Sequence, residues 1–408
     1  MIYLDNAATT SLSPSVLCAM LPYLMQDYGN PGSDHPVGRK ARKAVDEARE
    51  KVASLVSCQP EQVVFTSGGS EANNLAILGT LQAMRQQGKT HLILSPVEHE
   101  SAYAAAEAAK TMGFSVDYVP LLNTGGPGKP DRIRLDLDAL DAMIRPETAL
   151  VSVMTVNNET GDLFSAAKVS GVCKAHGVLY HTDCVQAPEL AKMAWEFADL
   201  ISVSAHKLHG PKGIGALFVK DRALLSPLIH GGQNQEHGLR AGTENVPAIV
   251  GFGQAVFELL KRGHDARTHT AYMGFLRRFD EQMLALGLDD AWMPGRNTPR
   301  FRITIDRGRS SFSCLGSDRI LSLTIQGVDA QTLVLLAGEN GLCISSGSAC
   351  DTHSSQPSRV LLACGYTPEE ARQTVRLSFD HTVSYNDAVK AAEILADCVS
   401  LLLQARTT

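Results

Sequence analysis

Short apolar runs alternate with helical segments from residue 62 to residue 219. The helical segments carry apolar residues at three- and four-residue spacing, as in Ala41, Val45, Ala48, Val52 and Leu55. This alternation predicts a mainly parallel β-sheet covered by helices on both faces. The apolar runs occupy residues 63–66, 91–95, 116–120, 149–154, 177–180, 197–201 and 215–219.

The pattern changes after Val219, where a long polar, glycine-rich loop (230–245) precedes a helical region (247–287). The strand and helix patterns that follow this helical region predict an α+β region. We therefore predict two domains, a large α/β domain over 15–260 and a smaller α+β domain made of 1–14 and 261–408. The predicted elements of the small domain are strands near 301–305, 320–325 and 374–379 and helices over 330–338 and 385–403.

The composition is that of an ordinary soluble globular protein, with 408 residues, 44% of them hydrophobic. The formal net charge of -6 gives no sign of a nucleic-acid-binding or membrane-surface protein. The sequence lacks an apolar run of about 18 residues, and its first residues resemble neither a signal nor a transit peptide. We expect a cytoplasmic protein without direct nucleic-acid or membrane contact.

Nine cysteines are scattered along the chain, an odd number without a C-x-x-C pair. This spacing predicts neither a disulfide framework nor a zinc site, so no metal is expected. Most of the cysteines should be small buried hydrophobic residues.

Lys207 lies between two predicted core strands, within the segment 202–213, which is rich in small residues, histidine and glycine. A buried lysine loses its charge readily, and a neutral amine is a nucleophile toward a carbonyl. Lys207 is therefore a candidate Schiff-base lysine. The alternative is a loop lysine paired to a carboxylate.

Asp183 supports the first interpretation because it follows another predicted strand about 25 residues earlier. Binding sites in parallel sheets lie at the carboxyl ends of strands, where both residues would meet. A pyridoxal phosphate enzyme needs a Schiff-base lysine and an anion beside the pyridinium nitrogen. Asp183 and Lys207 supply that pair.

A predicted phosphate cup follows the strand 63–66. Gly69 lets the backbone approach a ligand closely. Ser70 is predicted to cap a helix over 71–84, whose free amide groups would face an anion. An ordinary capped helix is the alternative. His99, at the end of the run 91–95, could stack on a flat ligand or shuttle protons.

Together these segments resemble the cysteine desulfurases, in the aminotransferase class V branch of the fold-type I pyridoxal phosphate enzymes. The resemblance runs from Tyr3 to about Ser384 and implies a mainly parallel seven-stranded sheet in the large domain. Four motifs carry most of it: Ser-Ala-His-Lys at 204–207, His-Thr-Asp at 181–183, Arg-Ala-Gly-Thr-Glu-Asn at 240–245 and Ser-Ser-Gly-Ser-Ala-Cys at 345–350.

The resemblance implies that Lys207 binds the cofactor and then moves the α-proton of the substrate. Asp183 would keep the pyridine nitrogen protonated, and His99 would stack on the ring and act as acid or base. The other implied contacts are Gln186 and Asn158 at the phenolic oxygen, with Asn158 also near the substrate, and Gly69, Ser70, Ser204, His206 and Thr243 at the phosphate. Thr243 would come from the neighbouring subunit, which implies a homodimer.

Cys350 would be the nucleophile that attacks the sulfur of L-cysteine, giving alanine and a persulfide on Cys350. A sulfur-acceptor protein would then take the sulfur. Arg376 would grip the substrate carboxylate as a two-pronged donor. Either His353 or Arg376 could stabilise the thiolate. A buried structural thiol is the alternative for Cys350, but its serine- and glycine-rich flanks argue against burial.

Family precedent offers three destinations for the sulfur: iron–sulfur assembly, transfer-RNA thiolation and DNA phosphorothioation. The tail 404–408 does not resemble the one that housekeeping iron–sulfur members use to dock a scaffold, which favours a dedicated system. A selenocysteine lyase is the alternative enzyme, suggested by His353 and the context 356–358. A catalytically silent scaffold is the third hypothesis, and the presence of Lys207, Asp183, His99 and Cys350 argues against it.

Overall fold

The computed structural model describes residues 1–123, 133–263, 265–286, 301–303, 317, 319–347 and 356–405. Its strands form one large sheet and three smaller ones. In chain order they are β1 (Ile2–Tyr3), β2 (Val63–Thr66), β3 (His91–Leu94), β4 (Ser115–Tyr118), β5 (Leu121–Asn123), β6 (Ile133–Leu135), β7 (Thr148–Ser152), β8 (Leu179–Asp183), β9 (Leu200–Ser204), β10 (Gly215–Val219), β11 (Phe301–Ile303), β12 (Ile320–Ile325), β13 (Leu342–Cys343), β14 (Ser345–Ser346) and β15 (Thr374–Ser378).

The helices account for most of the remaining described chain. In order they are α1 (Pro14–Met25), α2 (Pro36–Ala53), α3 (Gly69–Asn74), α4 (Thr80–Met84), α5 (Glu100–Thr111), α6 (Leu137–Met143), α7 (Ala166–Ala175), α8 (Ala191–Trp195), α9 (Val246–Arg262), α10 (Ala266–Ala285), α11 (Ala330–Glu339), α12 (Arg359–Ala363), α13 (Pro368–Arg372) and α14 (Tyr385–Ala405). Within the described ranges, none is long and apolar enough to cross a membrane.

The large sheet has seven strands in the order β2-β10-β9-β8-β7-β3-β4. Strand β10 runs antiparallel to β2 and β9, and the other pairings are parallel. Its central strands are buried, apart from the half-buried Leu179 at the start of β8, because helices cover both faces. The predicted α/β class with a mainly parallel seven-stranded sheet is therefore confirmed.

The second main sheet has the order β11-β12-β15-β14 and pairs antiparallel throughout. A separate apolar cluster joins it to α10 and α14, with Phe275, Phe379 and Leu395 fully buried. The chain start belongs to this region, because β1 pairs with β13 and Leu4 lies in the same cluster. The predicted domain boundaries stay a prediction.

The prediction that Ser70 caps the helix after β2 was wrong. The helix begins at Gly69, its N-cap is Gly68, and Ser70 makes no capping hydrogen bond. Gly68 has a φ of 155°, a backbone conformation that residues with a side chain rarely adopt, and it leads the chain into the helix without a hydroxyl cap. The helical region predicted over 247–287 contains two helices, α9 and α10, which separate after Gly263, whose φ of 61° ends α9.

Candidate active site

The carboxyl ends of β8 and β9 lie side by side at one edge of the large sheet. Strand β8 ends at Asp183, which pairs in register with Ser202 of β9. Strand β9 ends at Ser204, and a 3₁₀ turn over Ala205–Lys207 follows at once. This edge is where ligands bind in open α/β sheets, so the fold places the acid and the lysine at a common site.

The Lys207 side chain reaches the first residues of the chain. Its Nζ donates to the carbonyl oxygen of Ala8 at 2.8 Å and to that of Ala7. Gln186 Nε2 donates to the same Ala7 carbonyl at 3.1 Å. The N-terminal segment therefore brings Lys207 and Gln186 together, a contact that spans nearly 200 residues of sequence.

Asp183 is buried and both of its carboxylate oxygens accept hydrogen bonds. Oδ1 accepts from the backbone N–H of Val185 at 2.8 Å, and Oδ2 accepts from Asn73 Nδ2 at 2.7 Å. Donors on both oxygens stabilise the ionised carboxylate. Asn73 was not among the predicted site residues, and its position on α3, facing a strand end, gave no local signal.

His99 caps the N-terminus of α5, and its Nδ1 accepts from the Ser101 backbone N–H at 3.1 Å. Burial lowers the pKa of His99, and the nearby Asp183 charge opposes that shift. The ring is thus held near Asp183 and favours its neutral form. The position of the ring is consistent with a role at a flat ligand. The hydrogen bond from Ser101 also explains His99 as the cap of a helix.

Three of the predicted phosphate residues, Gly69, Ser204 and His206, lie around the end of β9. The Ser204 hydroxyl is buried without a hydrogen-bond partner among the described residues. A Cβ on Gly69 would lie 2.9 Å from a Val185 methyl group and 3.6 Å from the Ser204 Cβ, so the backbone comes close to both side chains. Burial and the adjacent Lys207 lower the pKa of His206 to about 4, so its ring is neutral.

Asn158 and Arg376 form a second contact group at this edge. Arg376 NH1 donates to the Asn158 carbonyl at 2.9 Å, and NH2 donates to Asp5 Oδ1 at 2.9 Å. Arg376 Nε and Asn158 Oδ1 are both buried without partners among the described residues. A buried guanidinium with unused N–H groups is suited to a carboxylate ligand.

Glu159 follows Asn158 and was not predicted to take part in the site. Its Oε2 accepts from Ser358 Oγ at 2.5 Å and lies 3.5 Å from the position that a Cβ on Gly347 would take. Burial raises the pKa of Glu159 to about 7, although the Ser358 hydroxyl and the Arg376 charge oppose that shift. The side chain is therefore close to its titration midpoint near neutral pH.

Replacing Glu159 with glutamine is expected to remove a pH-dependent destabilisation. In the wild type, the raised pKa means that the folded state holds a proton that the unfolded state has already lost. Stability is therefore lost as pH rises from about 4.5 to about 7, by about 3 kcal/mol in all. Urea unfolding of both proteins between about pH 5 and about pH 8 measures this difference.

The exposed residue Glu50 provides the control, because its replacement by glutamine removes the same charge away from the site. As pH rises, the free energy of unfolding of Glu159→Gln should increase relative to that of the wild type. The free energy of unfolding of Glu50→Gln should change with pH as that of the wild type does. Parallel curves for Glu159→Gln and the wild type would contradict the assignment.

The loop after Lys207 is tied to the strand that carries Arg376. His209 Nδ1 donates to the Ser11 carbonyl at 2.9 Å, and its Nε2 lies 2.9 Å from Asp380 Oδ2. Burial raises the pKa of Asp380, but its contacts with His209 and Thr382 outweigh burial and lower it overall. We interpret this contact as a buried ion pair.

His381 stands beside this pair, with its ring centroid 4.7 Å from that of His209. Asp380 and the two histidines bring possible metal ligand atoms within 4.8 Å of one another. However, Arg262 NH1 donates to His381 Nε2 at 2.8 Å, and a guanidinium at this position opposes a second cation. The donor set therefore favours the ion pair over a metal.

Two predicted phosphate residues are exposed, Ser70 on α3 and Thr243 in the loop 230–245. That loop is anchored by Glu236, which accepts from both terminal nitrogens of Arg49 at 2.9 Å and 2.6 Å. Cys350 and His353 lie outside the described residues.

The comparisons with known proteins agree with this fold. The aminotransferase class-V family model matches residues 2–286. A cysteine desulfurase from Trichormus azollae is 37% identical over 404 residues, covering 98% of this chain and 93% of that protein.

Two solved structures are similar over nearly the whole chain. A NifS-like protein has a TM-score of 0.82 at 28% identity, covering 98% of this chain and 99% of the other. SspA in complex with cysteine has a TM-score of 0.72 at 31% identity, covering 93% and 99%. The chain belongs to the aminotransferase class-V family, and within it to the cysteine desulfurases. It is an enzyme that depends on pyridoxal phosphate.

The residues at the sheet edge fit this cofactor. Asp183 presents a carboxylate of the kind that a pyridinium nitrogen requires. Lys207 presents an amine that donates a hydrogen bond to the Ala8 carbonyl near the N-terminus. The unpaired Ser204 hydroxyl and the close approach of the Gly69 backbone suit a phosphate. Among the described residues, the unpartnered Ser204 hydroxyl and Arg376 Nε–H are donors that suit an anionic ligand.

Proposed function

We propose that this enzyme converts L-cysteine to L-alanine, takes the sulfur as a persulfide on Cys350 and passes it to a sulfur-acceptor protein. The proposal is supported by the neighbouring strand ends that carry Asp183 and Lys207, and by the similarity of the chain to cysteine desulfurases over nearly its full length. The contact of the buried Arg376 with Asn158 gives further support. The complex of the neighbour SspA with cysteine supports cysteine as the substrate.

Pyridoxal phosphate, when bound, supplies an electron sink for negative charge at the substrate α-carbon. Lys207 would attach it, and Asp183 would lie at the pyridine nitrogen. The other residues that would hold it are Gln186 and Asn158 at the phenolic oxygen and Gly69, Ser70, Ser204 and His206 at the phosphate.

Arg376 would bind the substrate carboxylate. Among the described residues, its two terminal nitrogens each donate one hydrogen bond, to Asn158 and to Asp5, so each has a second N–H that a ligand could accept. Burial strengthens such a contact because water competes less. Fixing the carboxylate at this point orients the α-carbon toward the Lys207 side of the site.

Lys207 would move the α-proton. Its Nζ is held by the carbonyl oxygens of Ala7 and Ala8, which accept hydrogen bonds but carry no full negative charge. These two contacts position the amine at the end of β9. A neutral amine accepts a proton, and the same group returns it when the product carbon is protonated.

Cys350 would act as a thiolate nucleophile toward the substrate sulfur. A new S–S bond forms as the substrate C–S bond breaks, and the electron pair of that bond stays on carbon. That carbon then takes up a proton and becomes the methyl group of alanine. The sulfur is left bound to Cys350 as a persulfide, which a second thiol on the acceptor can attack.

A homodimer is part of this proposal. Thr243 is exposed in its own chain, as expected of a residue that contributes to a neighbouring subunit. Helix α1 and the residues after it also expose large apolar side chains, a feature typical of an interface. These are Leu17, Leu21, Leu24, Met25 and Tyr28.

The proposed activity predicts a simple stoichiometry. Purified enzyme with bound cofactor, given L-cysteine and a reducing thiol, is expected to release one alanine for each sulfide. Alanine is measured by chromatography and sulfide by a colorimetric assay. Sulfide accompanied by pyruvate and ammonia in place of alanine would indicate elimination and overturn the proposal.

The same assay with L-selenocysteine distinguishes a cysteine desulfurase from the alternative enzyme, a selenocysteine lyase. Turnover of both substrates is expected for a desulfurase, because the same site accepts either side chain. Rejection of L-cysteine with rapid turnover of L-selenocysteine would instead identify a selenocysteine lyase.

A further inference from the structure

A hydrogen-bond chain links Asp183 to His99 behind the site. Asn73 Nδ2 donates to Asp183 Oδ2 at 2.7 Å and to Ser101 Oγ at 3.0 Å. Ser101 Oγ in turn lies 2.8 Å from His99 Nδ1. Asn73 is buried, so its two N–H groups face these partners without competition from water.

The direction of each bond follows from the donor and acceptor types. The backbone N–H of Ser101 can only donate, so His99 Nδ1 must accept. The Ser101 hydroxyl accepts from Asn73 and therefore has its own hydrogen available for Nδ1. A neutral imidazole that accepts at Nδ1 carries its proton on Nε2.

The orientation of the Asn73 amide is fixed by the same contacts. Turning the amide over would place its carbonyl oxygen against the Asp183 carboxylate, acceptor against acceptor. In the observed orientation, Oδ1 is buried without a partner among the described residues. The protein thus tolerates one unpaired acceptor to keep two donors on Asp183 and Ser101.

We propose that Asn73 and Ser101 are positioning residues that hold the Asp183 carboxylate in place and keep His99 in its Nε2–H tautomer. This inference rests on the proposed function for its catalytic meaning. In the resting enzyme, His99 is then a proton donor at Nε2 and not a base. That assigns one of the two roles that the sequence left open for this histidine.

The charges around His99 agree with this assignment. Burial lowers its pKa, Asp183 and Glu100 raise it, and Lys207 and Arg359 lower it. A second proton on Nδ1 would also break both hydrogen bonds from Ser101. The neutral form is therefore supported by the geometry as well as by the local charges.

The tautomer is measured directly by long-range proton–nitrogen NMR of the holoenzyme labelled with ¹⁵N-histidine. The His99 signals are identified by their loss in His99→Gln. We expect an unprotonated Nδ1 and a protonated Nε2. A protonated Nδ1 in the unmodified enzyme would overturn the proposal without any variant having to fold.

Variants test the two positioning residues separately. Ser101→Ala removes one of the two donors to Nδ1, so the difference between the Nδ1 and Nε2 shifts should shrink, and Ser101→Thr should restore it. Asn73→Ala should lower kcat/KM about 10-fold to about 100-fold and change the pH dependence of the visible absorbance of the bound cofactor. Asn340, which is exposed at the end of α11 and whose Nδ2 donates to the Leu336 carbonyl, is the matched control.

Asn340→Ala should keep the cofactor spectrum of the unmodified enzyme. The proposal fails if Asn73→Ala and Asn340→Ala give the same spectra and rates, or if Ser101→Ala leaves the His99 shifts unchanged. Failure of the proposed function has a different signature. It would appear as missing alanine in the L-cysteine assay, with the tautomer and the cofactor spectrum unaffected.

Discussion

Replacing Cys350 with alanine is expected to reduce sulfide release from L-cysteine by about 10³-fold or more. Without this thiol, the substrate sulfur has no nucleophile to accept it, and a free sulfide is a poor alternative leaving group. Cys350 is not among the residues proposed to hold the cofactor, so the variant should keep the visible absorbance of the wild type. Alanine and sulfide are measured together with the absorption spectrum.

Cys18 supplies the control for this experiment because it is an exposed free thiol on α1. Cys18→Ala should release alanine and sulfide at the wild-type rate. Cysteines at the protein core are less suitable, since burial raises the pKa of thiols such as Cys173 to about 12. Undiminished sulfide release by Cys350→Ala would show that another group carries the sulfur.

Replacing Lys207 with alanine is expected to abolish turnover by a comparable factor, about 10³-fold or more, because one side chain both attaches the cofactor and moves the proton. The variant should also lose its visible absorbance after gel filtration, whereas Cys350→Ala should retain it. Removing the side chain also takes one donor from each of the Ala7 and Ala8 carbonyls, and Gln186 still donates to that of Ala7.

Lys212 is a matched control in the same loop, five positions later and exposed. Lys212→Ala should keep both its colour and its activity. An active, coloured Lys207→Ala would exclude Lys207 as the attachment point. A colourless Lys212→Ala would show that the loop as a whole, and not the amine of Lys207, decides cofactor retention.

The sheet could be predicted from local patterns. Each of the seven apolar runs contains residues of one strand of the large sheet, because a strand buried on both faces needs apolar side chains in succession. Local patterns could not predict that β10 runs antiparallel to its two neighbours. Gly210 and Gly213 permit the tight connection from β9, but the pairing of β10 with β2 depends on chain crossings that a short run does not encode.

The site was predictable where a motif supplied both residue type and strand position. Asp183 and Ser204 end neighbouring strands, as expected from the rule that ligands bind at carboxyl ends. Ser70 shows the limit of this approach, since a serine before an apolar helical pattern predicts a cap, whereas the backbone of Gly68 begins the helix without one.

The sequence by itself determined the α/β class, the strand positions and the chemistry that Lys207, Asp183 and Arg376 can perform. Only the tertiary structure decided which groups surround them. Asn73 donates to Asp183 across 110 positions, Lys207 donates to carbonyls about 200 positions away, and Arg376 reaches Asn158 across 218. Such contacts depend on how the strands are ordered in the sheet and how the chain start returns to it, and local propensity carries no information about either.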